Sequence, residues 1–225
     1  MPRLSDLYSQ IHKNLFSLAL VIAISSIPIG LVVFLRVWKD IPPEALLRDP
    51  VMFLGGEVYV GMASQFGIFL WAAAAAIPLF AGYLVGCHGE SSKLRNFLVA
   101  SGFLSLLLGF DDVFMLHDEV FPDSVEKIVY LVYASAVLAF LVRFQSIIRR
   151  TDYLLLVMAF VFFAISIGLD QLHLPDINGF FWEDSAKIVG IAAWLVYFFQ
   201  ASAFSINVML LKQRTAPIPQ VALKR

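Results

Sequence analysis

Gly109-Phe110-Asp111-Asp112 closes one long apolar run of this chain, and Gly168-Leu169-Asp170-Gln171 closes another. Their continuations are alike. The first runs through His117-Asp118-Glu119 and Pro122-Asp123 to Lys127-Ile128-Val129, the second through His173 and Pro175-Asp176 to Lys187-Ile188-Val189. Both segments leave one apolar block and lead into the next. The pattern predicts two related helical hairpins in tandem, with Asp111 and Asp170 at matching places. A carboxylate inside a lipid-spanning segment is expensive, so each is a functional candidate by default.

Working outward, the apolar blocks dominate the chain. Hydrophobic residues make up 60% of it and charged residues 15%, which places it outside the soluble globular range. The blocks are long enough to span a bilayer, so the fold class is all-α and polytopic. Six transmembrane helices are expected, at about residues 15–35, 58–86, 96–116, 127–148, 153–172 and 186–211. They form three antiparallel hairpins, with helices three and four repeated by helices five and six. The whole of 1–225 reads as one membrane domain, with 212–225 as a tail. Asp6 and Tyr8-Ser9-Gln10 precede the first block, which predicts a retained span and not a cleaved signal. The single cysteine, Cys87, excludes an intramolecular disulfide and a cysteine-built metal site.

Six spans put both termini on one side. That side carries eleven basic residues and three acids, while the other carries five basic residues and fourteen acids. The positive-inside rule makes the basic side cytoplasmic. The acidic excess then faces outward, and the expected location is a bacterial inner membrane with both termini inside.

The acids gather at helix ends on the outer side. Asp111 and Asp118 are seven apart and share a helical face, as do Asp112 and Glu119. His117 sits beside Asp118. Asp170 and His173 form an i, i+3 carboxylate–imidazole pair, the spacing that carboxylate-bridged di-metal bundles use as Glu-x-x-His. The sixth helix is expected to open on Glu183-Asp184, where its dipole favours negative charge. Clustered carboxylates in low dielectric need protons or cations to neutralise them. A divalent metal does this well: carboxylates with imidazoles suit Mn, Fe or Zn, and carboxylates alone also suit Ca. The candidate ligands are Asp111, Asp112, His117, Asp118, Asp170, His173, Glu183 and Asp184. The plainer reading is that acids at helix ends lie in the headgroup zone, solvated or paired with Arg36, Lys127 and Lys187. It accounts for Asp118, Glu119, Asp123, Glu126 and Asp176. It accounts less well for Asp111, Asp112 and Asp170, which uninterrupted apolar helix precedes.

Three functions fit this inventory. The first is a metal-dependent membrane enzyme acting on a lipid or another hydrophobic molecule at the outer leaflet. The second is a transporter or proton-handling protein that uses Asp111 and Asp170. The third is a non-catalytic subunit of an oligomer or larger membrane complex. Membrane lipids are the expected partners. The absence of a Walker A loop, a dinucleotide fingerprint and a Gly-x-Ser-x-Gly elbow narrows the chemistry. No basic stripe is present to bind nucleic acid. The placing of ligands at one membrane face resembles the polytopic hydrolases related to alkaline ceramidases and the progestin/adipoQ receptors. Those rely on three histidines, including His-x-x-x-His, which this chain lacks, so no residue is carried over.

Overall fold

The computed structural model describes residues 15–57, 59–88, 92–114, 123–172 and 179–215, and every regular element among them is helical. The elements are α1 (Leu15–Lys39), α2 (Pro43–Leu47), α3 (Pro50–Phe53), α4 (Met62–Cys87), α5 (Ser92–Phe114), α6 (Asp123–Ile148), α7 (Tyr153–Leu172) and α8 (Gly179–Thr215). They fall into two compact units, residues 1–62 and 63–225.

The first unit holds α1 and the two short helices. Pro28 lies inside α1, where it removes one backbone donor. Ser25 and Ser26 both turn their hydroxyls back onto the Ile22 carbonyl, a local bond that bends helices. Past the end of α1, Asp40 takes a left-handed φ of 55°. Its carboxylate is held at 2.9 Å by Arg36, one turn earlier.

The second unit is built on helices long and apolar enough to cross a membrane: Met62–Cys87, Ser92–Phe114, Ile128–Ile148, Tyr153–Asp170 and Phe181–Lys212. An α-helix rises about 1.5 Å per residue, so the 20 residues of α7 match the hydrocarbon thickness of about 30 Å. The 37 residues of α8 exceed it. Large apolar side chains such as Phe69, Phe80, Phe103 and Phe110 face outward, as a lipid solvent permits and water does not. The protein is therefore an all-α protein of multi-pass membrane character.

Helix α4 buries a stripe at helical spacing: Gly67, Trp71, Ala74, Ala75, Pro78, Ala81, Gly82 and Val85. The small members of that stripe let α5 come close. A Cβ on Gly102 would collide with Leu79 and the Ala75 carbonyl, and one on Gly109 would lie 2.9 Å from Trp71 Cβ. Small residues at helix contacts are how membrane helices approach without a hydrophobic drive between them. Helix α8 lies at the centre. Its Trp194 meets Trp71 of α4 and Phe160 and Phe163 of α7, while Phe198 meets Phe97 of α5 and Phe140 of α6. The Trp194 indole also donates to Ser105 on α5 at 2.9 Å, so a buried polar handle fixes the register of α8 on α5.

Two helices begin ahead of the apolar pattern, while α4 begins at Met62, after the expected 58. Helix α5 starts at Ser92, ahead of the expected 96, and α8 starts at Gly179, ahead of the expected 186. Glu183 and Asp184 therefore lie beyond the first turn of α8. The dipole expected to stabilise them fades within that first turn.

Candidate functional site

Asp111 and Asp112 stand side by side near the end of α5. Consecutive residues on a helix diverge by about 100°, so the two carboxylates serve different neighbours. Asp111 is 8% exposed and accepts a hydrogen bond from the Tyr133 hydroxyl of α6 at 2.9 Å. Asp112 turns towards α4 and α8. One oxygen accepts from the Trp71 indole N–H at 3.1 Å, and the other lies 3.5 Å from the Lys187 ammonium. Two adjacent acids thus tie α5 to three other helices.

The partners are not at helix tips. Trp71, Tyr133 and Lys187 lie nine, ten and eight residues inside the starts of α4, α6 and α8. That is roughly 12–15 Å of helix rise. Trp71 is itself buried, and Asp112 is the partner of its indole nitrogen, so the bond satisfies a donor that burial would otherwise leave bare. The side chains of Lys187 and Asp112 are 38% and 22% exposed, so the pair is partly screened.

Beside this pair is a cavity of about 30 Å³, lined by Ala63, Ser64, Gly67, Asp112, Asp184 and Lys187, with Ile188 and Ile191. The sequence cause is plain: Ala63, Ser64 and Gly67 present short side chains on neighbouring turns of α4 and leave room opposite α8. The volume is that of about one water molecule, and polar groups line it as a bound water requires. Among the described residues, the charged groups around it are two carboxylates and one ammonium, an excess of one negative charge.

Of the eight ligands expected from the sequence, the structure brings Asp112 and Asp184 to one cavity. Asp111 points instead to Tyr133. Glu183 is partly buried on α8. His117, Asp118 and His173 lie outside the described residues. Among the described residues, no group of three or more His, Cys, Asp or Glu is placed to hold a metal ion. Asp111 and Asp170, expected at equivalent places, differ in surroundings: Asp111 is buried and Asp170 is exposed. Their preceding glycines differ too. Gly109 is pressed against Trp71, whereas Gly168 has open space beside it. A repeat in sequence is not a repeat in environment here, because α5 packs its glycine against α4 and α7 does not.

The acids and Lys187 stand out in the sequence, whereas Trp71 and Tyr133 do not. The signal that could have found them is an aromatic with a polar atom deep in an apolar run, since such groups need a buried partner.

Residues 15–201 match a family described as a domain of unknown function, DUF8692, and the chain belongs to that family. The match takes in α1 to α7 and the part of α8 that carries Asp184, Lys187 and Trp194. No curated protein and no solved structure matches the chain.

Proposed function

We propose that this is a multi-pass membrane protein that handles a proton or a small cation at the outer end of its bundle, with Asp112 as the exchanging group. One observation carries this reading: Asp112 is shared between Lys187 and Trp71 beside a cavity the size of one water. Lys187 and an incoming cation compete for the same carboxylate. When Asp112 is protonated or bound by a cation, the Lys187 ammonium is released. When Asp112 is bare, Lys187 returns and neutralises it. Asp112 is then never left as an unpaired carboxylate, and the site can load and unload. Asp184 on the same cavity gives the displaced ammonium a second carboxylate to face.

The test is flux. Purified protein in liposomes carrying a pH-sensitive dye, under an imposed gradient of H⁺, Na⁺ or K⁺, should pass one of these ions faster than empty liposomes. Asp112→Asn should lose that flux while keeping an oxygen to accept from Trp71. Liposomes with wild-type protein that pass none of the three ions would sink the reading.

A second reading is favoured by the shared cavity of Asp112 and Asp184, and by the way α5 and α7 run in sequence directly into His117-Asp118 and His173. In it, some of the eight acids and histidines hold Mn, Fe, Zn or Ca, and the protein is a metal-dependent enzyme acting on a lipid or hydrophobic substrate. Stoichiometric metal in protein purified without chelators supports this reading. So does a melting temperature that rises with the logarithm of metal concentration and is lost in His173→Ala. An unchanged melt of chelator-treated protein across all four metals excludes it.

A further inference from the structure

A second opening lies between α5 and α6. It is a shallow, open trough of about 550 Å³, lined almost wholly by apolar side chains. Ala100, Ala136 and Ala139 line it with short side chains, together with Phe103 and Phe140. Among the described residues, Arg143 is the one charged group that lines it. The groove has a direction. Phe97, near the start of α5, stacks on Phe140 and meets Phe144 edge-on, so Arg143 marks the end of the groove nearest Ser92 and Ile148. Leu107 and Ala136 mark the deeper end.

Arg143 is exposed, and its guanidinium lies 5.7 Å from the Phe144 ring centroid. Among the described residues no carboxylate pairs with it. It sits five residues before the end of α6, about 8 Å below the helix terminus. That is the depth from which a long basic side chain reaches up to the headgroup layer. Arg149 and Arg150 follow at the turn into α7 against one acid, Asp152, so this turn carries a net positive charge. A cation at the rim and an apolar trough running inward complement one kind of molecule, an anion carrying a hydrocarbon chain.

We propose that the groove between α5 and α6 binds an anionic phospholipid, with its phosphate on Arg143 and one acyl chain laid along Ala100, Ala136 and Ala139. Arginine suits a phosphate because its planar fork offers paired donors. Basic pockets between membrane helices recognise anionic headgroups in this way. The site is separate from Asp112 and does not depend on the ion-handling reading.

The experiment uses the full chain, purified in mild detergent and stripped of lipid. Dioleoyl phosphatidylglycerol and dioleoyl phosphatidylcholine are added separately, and retained lipid is counted by native mass spectrometry alongside thermal melts. Phosphatidylglycerol should bind about fivefold tighter than phosphatidylcholine, the preference expected of one basic side chain. Arg143→Gln should erase that preference, whereas the Arg149→Gln/Arg150→Gln double variant should keep it. Ala139→Phe fills the groove from a lipid-facing position and should reduce retention of both lipids. Equal binding of the two lipids by the wild type, or a preference that survives Arg143→Gln, overturns the proposal. So does a wild-type dimer that Ala139→Phe converts to monomer, since the groove would then hold a second copy. Should Ala139→Phe fail to fold, Arg143→Gln decides alone.

Discussion

Asp112 does two jobs at once, and substitutions separate them. As an anion it balances Lys187; as an acceptor it satisfies the Trp71 indole. Lys187 is more than one-third exposed, so its pairing contributes at most about 1 kcal/mol after screening. An orphaned indole N–H beside a buried ring costs about 1–3 kcal/mol. Asp112→Ala loses both and should be the most destabilising change at the site. Asp112→Asn and Lys187→Met each lose only the ion pair and should melt within about 1 kcal/mol of wild type. Thermal melts of the three variants in one detergent check the order, and a Lys187→Met protein less stable than Asp112→Ala would reverse it. At this scale the sequence is half legible. Asp111, Asp112 and Lys187 are conspicuous because charge is rare in apolar text. Trp71 and Tyr133 are not, because an aromatic in a membrane helix is ordinary until a neighbouring helix puts an acid opposite it.

Helices are the most legible elements, since a run of apolar residues long enough to span can satisfy its backbone in lipid only as a helix. Their ends are less so. Hydropathy marks where hydrocarbon begins, but the hydrogen-bonded ladder continues into the interface, where Ser92 and Lys93 of α5 or Glu183 and Asp184 of α8 are at ease. Least legible is which helix packs on which. The paired segments ending in Gly109-Phe110-Asp111 and Gly168-Leu169-Asp170 look alike, yet only Gly109 meets another helix closely. The two glycines therefore make a direct test. Gly109→Ala would drive a methyl to 2.9 Å from Trp71 Cβ and 3.1 Å from its Cγ. The overpacking should cost about 1–3 kcal/mol and disturb the indole that serves Asp112. Gly168→Ala meets nothing within 4 Å, and should gain about 0.5–1 kcal/mol from the better helix former. Melts of the two single variants read this out. Equal losses would mean that the two hairpins are equivalent after all.

At the scale of the whole molecule, charge decides orientation where packing cannot. The end of the bundle that carries Asp111, Asp112, Asp184 and Lys187 is the acidic one, and the end that carries Arg95, Arg143, Arg149 and Arg150 is the basic one. Moving the basic loops across a membrane is what the insertion machinery resists, so the lipid groove at Arg143 should open to the cytoplasmic leaflet and the Asp112 site to the outside. Both proposed functions depend on this. An anionic headgroup is most abundant, and a basic rim most useful, on the cytoplasmic face. An ion arriving from outside meets the acidic mouth first and is drawn in by it. Five helices long and apolar enough to span follow residues 40–50, and an odd number of crossings puts those residues opposite the chain terminus. Reporter fusions placed after Arg225 and within residues 40–50 should therefore report opposite sides, the first cytoplasmic and the second external. Two reporters on the same side would mean an even number of crossings after residue 50 and remove one of those five helices as a span. An inverted pair would keep the odd number of crossings but put the acidic cavity inside the cell and the Arg143 groove in the outer leaflet, against the charge rule.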